Sequence, residues 1–523
     1  MRIDRLRLPA YRNLRNFEID FDESQPTTIL IGHNGLGKSN LLEAVIEIFR
    51  DLELENQPQF AYTLQYECRG HSIEIDADPD RSTRRIKISV DEESISQKNF
   101  QNKLDVYLPN NIFAYYSGWS SRMERCFDDP TRRYYREVLN SDQKEFPIRR
   151  MFFCRKEYSQ LVLLAFFLAE SQSSRNLLKQ YLNIKNFDSA LFVLKTPWWR
   201  GSGGPSKIQR EKGDPRFWYA RGSFKTFLSR LWDRALAPIR NQEAVERDIR
   251  RQSENTERLY LFIKNEDELG LLKESNEDSK TLFGYLESLF LCDLIDEVRV
   301  TVERTDGTRV RFSQLSEGEQ QLLTVLGLLL FTQNDESLYL LDEPDTHLNP
   351  VWIYDYLKLL QEHIRVDKGQ LIVATHDPLM IGSLHKNQVR SLSLEDNTIV
   401  AAEPEYDPMG IGIEGLLKSE LYGLRSTLAP EILSKLDRHY ELLGKKDKKE
   451  KEKLELSRLA NELNELGVSR THPNPYFEQF ATAMAKRVSK PDFDFSREEI
   501  DEQAKLADEI IDEIISEEKS TKA

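Results

Sequence analysis

Cysteine is scarce in this sequence: Cys68, Cys126, Cys154 and Cys292 are the only four in 523 residues, and no two form a C-x-x-C pair. That spacing argues against a zinc hook, a zinc ribbon and a disulfide framework, and leaves buried thiols as the expectation. Long apolar runs are missing too. The longest, Leu161 to Ala169, falls well short of the roughly 20 residues that span a bilayer, so no membrane segment is expected. The chain opens Met-Arg-Ile-Asp without the charged, apolar and small-residue succession of a secretory signal, and a cytoplasmic location is the expectation. Histidine is also thin at the C-terminal end, where only His439 and His472 follow His385. No histidine-clustered nuclease centre fits there. Nor does a Glu and D-x-D centre, because Asp492-Phe493-Asp494 has no apolar strand before it.

Apolar residues make up 39% of the chain and charged residues 31%, which describes a multidomain globular protein with a well-solvated surface. The formal charge of −15 argues against a uniformly nucleic-acid-coating protein, but the charge is unevenly placed. Arg122 to Arg251 holds 27 Lys and Arg against 15 Asp and Glu, whereas Asp492 to Glu518 holds 12 acidic residues and 2 basic ones. Within the basic region, Arg132-Arg133-Tyr134-Tyr135-Arg136 and Pro197-Trp198-Trp199-Arg200 mix cations with aromatics, a composition that suits nucleic acid and equally suits a solvated face over a packed core.

The apolar run Thr28-Ile29-Leu30-Ile31 ends in Gly32-His33-Asn34-Gly35-Leu36-Gly37-Lys38-Ser39, a complete G-x-x-x-x-G-K-[ST] pattern. Glycines let successive N–H groups curl around phosphate oxygens, Lys38 can reach the β- and γ-phosphates, and Ser39 can ligate Mg²⁺. Helical spacing from Asn40 to Phe49 puts a helix N-terminus under the phosphates. Far downstream, Leu338-Tyr339-Leu340-Leu341-Asp342-Glu343 reads as a buried strand ending in two carboxylates. Asp342 then suits the metal and Glu343 the water that attacks the γ-phosphate. A second buried strand, Gln370 to Ala374, ends in Thr375-His376. Between these segments, Ser316-Glu317-Gly318-Glu319 precedes an apolar helical stretch, Leu322 to Phe331, and an ordinary helix capping box has the same residues.

Tyr11-Arg12-Asn13-Leu14 through Phe17, followed by Ile31 to Ala44, resembles the N-terminus of RecF-like and SMC-like ATPases of the ABC type. Leu315 to Gln321 resembles the ABC signature segment, and Thr346-His347-Leu348-Asn349-Pro350 resembles the communication loop of RecF-like and overcoming-lysogenisation-like ATPases. The resemblance implies ATP and Mg²⁺ as cofactors. It puts Arg12 and Asn13 near the nucleotide beside Gly32, His33, Asn34, Gly35, Leu36, Gly37, Lys38, Ser39 and Asn40. It makes Asp342 a metal ligand with Ser39, and Glu343 and His376 catalytic. Ser316, Gly318 and Glu319 would meet an ATP held by a second subunit, giving a homodimer or higher even oligomer. The family's glutamine contact has no counterpart in Pro109 to Gly118.

The fold class expected is α/β: an ABC ATPase head, that is a P-loop NTPase with a mixed sheet and an antiparallel side sheet, plus a helical insertion and a helical C-terminal domain. The head halves are read as 1–120 and 293–404, the basic and mostly helical insertion as 121–292, and a helical region with an acidic tail as 405–523. In that tail Ile500, Ala504, Ala507, Ile510, Ile511, Ile514 and Ile515 form an apolar stripe. Together with Tyr115-Tyr116-Ser117-Gly118 and Arg150-Met151-Phe152-Phe153-Cys154, these features are most similar to the PtuA family of Septu and retron-associated anti-phage ATPases. That resemblance implies a separate effector protein, an HNH nuclease. A RecF-type or SMC-type DNA-repair or DNA-clamping ATPase without a nuclease partner is the alternative.

Overall fold

Buried strands that alternate with helices build a seven-stranded sheet in the computed structural model, which describes residues 1–140, 149–168, 172–200, 204–245, 254–274, 277–332, 334–363, 369–445 and 448–466. Its strand order is Thr398–Ala402, Val389–Glu395, Thr27–Gly32, Gln370–Ala374, Ser337–Asp342, Asn111–Tyr116 and Met151–Phe153. All pairings are parallel except the edge hairpin of Val389–Glu395 with Thr398–Ala402. Covered on both faces, the central strands read as unbroken apolar runs. The strand Ser337–Asp342 is buried at every position.

Period-two alternation sends successive residues of these strands to opposite faces. Ile29, Ile31, Phe113, Tyr339, Leu341, Leu371 and Val373 join one hydrophobic cluster, while Leu30, Ile112, Ala114, Leu338, Leu340, Ile372 and Ala374 join another. The second cluster contains the helix Lys38–Leu54 and the antiparallel sheet expected from the sequence. That sheet has six strands, in the order Leu14–Asp20, Arg2–Tyr11, Tyr62–Cys68, His71–Ala77, Ile86–Val90 and Glu93–Ile95. The first cluster contains the helix Ser159–Leu168, buried almost throughout. The long apolar run is thus a core helix. It lies against the helix Glu317–Thr332 at Gly327, where a Cβ would sit 2.2 Å from Val162 Cγ1.

The insertion carries strands as well as the expected helices. The sequence predicts a mostly helical block over 121–292 between two head halves, yet these residues add Met151–Phe153 to the edge of the central sheet and contribute three strands to a third, five-stranded sheet. The order there is Ile239–Val245, Glu254–Ile263, Ile184–Lys195, Ile295–Arg304 and Arg309–Arg311. Ile184–Lys195 pairs antiparallel with Ile295–Arg304 from Ile184 opposite Arg304 to Leu194 opposite Ile295. The physical reason is that long-range strand pairing leaves no local mark: each strand carries only a half-buried, bulged alternation. Residues 1–422 cluster as one unit and 423–523 as another. The helix Pro408–Lys418, assigned from sequence to the C-terminal region, falls in the first. Within the second, Pro430–Gly444 and Glu450–Glu465 are helices joined by ion pairs such as Lys435–Glu462 at 2.8 Å and Arg438–Glu455 at 2.9 Å. The acidic tail and its apolar stripe lie outside the described residues. Among the described residues, no helix is long and apolar enough to cross a membrane.

One ion pair in the first unit is fully buried. Arg149 meets Glu287, which also accepts the Tyr158 hydroxyl at 3.2 Å. Removing one partner of such a pair strands the other charge in a medium that cannot solvate it. Glu287→Leu is therefore expected to destabilise the protein by about 3–5 kcal/mol, read as a lowered urea midpoint. A loss under about 1 kcal/mol, the range of an exposed pair, would contradict this.

Candidate nucleotide-binding site

In parallel sheets the strand ends that point the same way gather ligand-binding groups at one edge. Here the C-terminal ends of Thr27–Gly32, Ser337–Asp342, Gln370–Ala374 and Asn111–Tyr116 lie side by side, with Asp342 in register with Ala374 and Tyr116. Every sequence-predicted residue of the phosphate loop and both carboxylates sit at this edge.

The loop leaves its strand at Gly32 and enters the helix Lys38–Leu54 through Gly37, whose φ is 89°. A side chain at Gly37 would be strained there, and its Cβ would meet Leu14 Cδ2 at 2.7 Å and Asn13 Oδ1 at 3.0 Å. Gly37→Ala is expected to abolish tight nucleotide binding while leaving most of the fold intact, since an αL alanine costs about 1–2 kcal/mol and Leu14 must move as well. Titration calorimetry with ATP checks this, and wild-type affinity would contradict it.

Asn13 holds the loop from below. Its Nδ2 donates to Gly35 O at 2.7 Å, and its Oδ1 accepts from Asn40 Nδ2 at 2.6 Å. Arg12, at φ 51°, donates to Asn40 Oδ1 at 3.2 Å and to Glu43 Oε1 at 2.5 Å. Both residues of the N-terminal strand turn thus sit beside the loop, bonded to its backbone and to the helix that follows. His33, Asn34 and Gly35 are exposed at its tip. Lys38 is buried, donates to Gly32 O at 2.6 Å, and has its pKa lowered because burial disfavours its charge.

Asp342 is completely buried, and neither carboxylate oxygen has a hydrogen-bond partner. Burial pushes its pKa up to about 7, against the opposing pull of Ser39, Lys38 and Arg122. Ser39 and Asp342 line one cavity with Glu43, Tyr116, Ser120, Arg122 and Met123. A hydroxyl and an orphaned carboxylate facing the same space are a fitting oxygen donor set for Mg²⁺.

Glu343 stands at φ 51°, its N–H donated to Ala374 O at 2.8 Å. That bond fixes the turn to the neighbouring strand, and Glu343 Oε1 lies 3.3 Å from His376 Nδ1. The two residues expected to act on the attacking water are thus in contact. Two groups that sequence reasoning does not single out support them. Buried Asp345, raised by burial to about 6, accepts from Thr375 Oγ1 at 2.9 Å and so holds the turn before His376. Ser117 and Thr346 share a hydroxyl contact at 2.9 Å, and Thr346 Oγ1 donates to Glu343 O at 2.9 Å. The segment after Asn111–Tyr116, which carries no glutamine, therefore meets the Glu343 turn through Ser117, whose N–H also donates to Asp342 O at 3.2 Å.

Ser316 lies elsewhere. It caps the helix Glu317–Thr332: Ser316 Oγ accepts from the Glu319 N–H at 3.3 Å, and Glu319 Oε2 accepts from the Ser316 N–H at 2.7 Å. Gly318 packs so closely on the loop after Glu343 that a Cβ would lie 2.4 Å from His347 O. Ser316, Gly318 and Glu319 line a separate concavity with Glu317, His347, Asn349 and Trp352, and none of these lines the cavity of Ser39 and Asp342. Within one protomer the two groups of predicted residues are not brought together.

The Septu protein PtuA of Bacillus mycoides (strain KBAB4) is 29% identical over 206 residues, which cover 37% of this chain and 29% of that protein. The Retron Vc95 probable ATPase of Vibrio cholerae serotype O1 biovar El Tor is 21% identical over 445 residues, 78% of this chain and 77% of the relative. The chain thus spans less than a third of the PtuA protein and about three quarters of the retron protein. Among solved structures, an SMC head domain from Thermotoga maritima aligns over 77% of this chain and all of its own, at 12% identity and a TM-score of 0.32. The family model described as "AAA domain, putative AbiEii toxin, Type IV TA system" matches residues 27–382, a span that runs from the phosphate-loop strand past His376, and the chain belongs to that family of ATPase domains.

Proposed function

We propose that this chain is the ATP-binding and ATP-hydrolysing subunit of a bacterial anti-phage defence complex, in which two copies close on two ATP molecules and their nucleotide state governs a separate effector nuclease. The observation that carries the reading is the division of the site: Ser39 and Asp342 line one cavity at the strand ends of the central sheet, while Ser316 and Gly318 line a concavity of their own. A capped helix N-terminus with a serine hydroxyl suits a γ-phosphate, and a second protomer is the means of delivering one to it.

In this reading the loop amides and Lys38 hold the polyphosphate. Ser39 and Asp342 are the residues that would hold Mg²⁺, which would supply positive charge to offset the charge that develops on the phosphates. Glu343 orients a water whose oxygen bonds to the γ-phosphorus. The bond from that phosphorus to the bridging oxygen breaks, its electron pair leaving on ADP, and the water proton passes to the carboxylate. His376, in contact with Glu343, donates toward the γ-phosphate, and Asp345 keeps its turn in place through Thr375.

The likeness to Septu PtuA and to the retron ATPase supports the defence role; the choice of an HNH nuclease as candidate effector comes from the family resemblance of the sequence alone. Co-expression with neighbouring genes, purification, and a nuclease assay with and without ATP test the proposal. A stable complex whose nuclease activity follows nucleotide state is the expected result. The DNA replication and repair protein RecF of Synechococcus sp. (strain JA-2-3B'a(2-13)) is 39% identical over 98 residues, 16% of this chain and 24% of that protein, and a DNA-repair or DNA-clamping ATPase without a nuclease partner is the second reading. A chain that purifies alone and hydrolyses ATP faster on DNA would favour it and overturn the first.

A further inference from the structure

We propose that Arg122 is a second arginine of the phosphate site, a cation supplied within the same protomer to the polyphosphate tail of the bound nucleotide. The inference rests on the reading of this edge as an ATP site.

Three observations converge on it. First, Arg122 stands just past the end of the strand Asn111–Tyr116 and lines the same cavity as Ser39 and Asp342. It is half exposed, at 49% for the side chain. Second, its present partners already have another cation. Arg122 Nε lies 2.9 Å from Glu43 Oε2, yet Arg12 engages both oxygens of that buried carboxylate. One negative charge is shared by two guanidinium groups. Glu47, the next carboxylate along the helix, lies 3.8 Å from Arg12 and accepts the Tyr11 hydroxyl at 3.1 Å, and burial favours its neutral form. Third, Arg122 Nη2 donates to Asn40 Oδ1 at 2.9 Å. A neutral amide on the phosphate-loop helix is a weaker acceptor than a phosphate oxygen beside it.

A planar guanidinium with surplus charge, tethered at the rim of a phosphate cradle, exchanges such an amide for phosphate at little cost. Arg12 then keeps Glu43 neutralised, so the exchange leaves no buried carboxylate unpaired. Because Arg122 shares its cavity with Ser39 and Asp342, its contact belongs to the β- and γ-phosphates, and it favours ATP over ADP.

Arg122→Gln tests this, since glutamine can still hydrogen-bond Asn40 but carries no charge, and Arg122→Lys restores the charge. Affinities for a fluorescent ATP and ADP analogue pair are measured on the full chain, with melting temperature as a control. Arg122→Gln is expected to weaken ATP by about 10- to 100-fold, the worth of one charge-assisted hydrogen bond, to weaken ADP far less, and to leave the melting temperature near wild type. Arg122→Lys is expected to recover most of the loss. Unchanged ATP affinity in the glutamine variant would overturn the inference. So would a parallel loss of ATP, ADP and thermal stability, which marks a structural brace. If wild type binds neither nucleotide, the reading of the site itself fails before Arg122 enters.

Discussion

Glu343→Gln is expected to slow ATP hydrolysis by about 10²–10⁴-fold, the usual worth of a positioned general base, while ATP binding stays within a few-fold of wild type. The substitution keeps the shape of the side chain and the N–H bond to Ala374 O, so the turn at φ 51° is retained. It removes only the charge that, in the proposed mechanism, accepts a proton from water. Phosphate release measured beside ATP affinity separates the two effects. Retained hydrolysis would mean that another group does the work, with His376, 3.3 Å away, the first to examine. Loss of binding along with hydrolysis would mean that Glu343 shapes the site and does not act on water.

Asp342→Asn is expected to raise stability and remove function together. The folded protein holds the Asp342 carboxyl near 7 because burial disfavours its charge and outweighs the opposing pull of Ser39, Lys38 and Arg122, whereas an unfolded aspartate titrates near 3.9. The folded state therefore binds the proton more tightly. Stability from this group is complete below about pH 4, falls as pH rises toward 7, and is lost above it, with a ceiling of about 4 kcal/mol. Asparagine does not titrate. Without metal or nucleotide, the variant should match wild type near pH 4 and melt higher at about pH 8, the gap set by that ceiling. Adding Mg²⁺ and ATP should stabilise wild type and leave the variant unmoved. Melting curves at the two pH values, with and without Mg²⁺ and ATP, check both halves. A variant less stable than wild type at high pH in the absence of ligand would contradict the burial argument.

The parts of the site written as contiguous residues are legible in the sequence itself. Gly32 to Ser39 combines a strand, a glycine turn and a helix start within one short segment, and Asp342-Glu343 and Thr375-His376 end apolar runs whose burial on both faces is visible as unbroken hydrophobicity. Part of the six-stranded antiparallel sheet is equally plain from alternation in Tyr62–Cys68 and His71–Ala77. The third sheet is not, since Ile184–Lys195 finds its partner in Ile295–Arg304 across most of the insertion, and neither strand alone announces the pairing. The same holds for side chains that serve the site from a distance. Arg122 reaches Glu43 and Asn40, Asp345 reaches Thr375, and Ser117 reaches Thr346. Each pair depends on strand neighbours that only the fold defines. Resemblance alone places Arg12 and Asn13 near the nucleotide, and the fold adds what they do: Asn13 laces Gly35 to Asn40, and Arg12 neutralises Glu43.

The composite site is tested most directly by mixing two inactive variants, Lys38→Ala and Ser316→Arg, each purified alone, and measuring ATP hydrolysis by the mixture. In a mixed dimer one site joins the intact Lys38 of the Ser316 variant to the intact Ser316 of the Lys38 variant, and the other site carries both lesions. The account predicts that the mixture regains hydrolysis that neither variant shows, up to one working site for each mixed pair. Wild-type protein that hydrolyses ATP while the mixture stays as inactive as its parts would contradict it, because both residues would then serve a site within a single protomer.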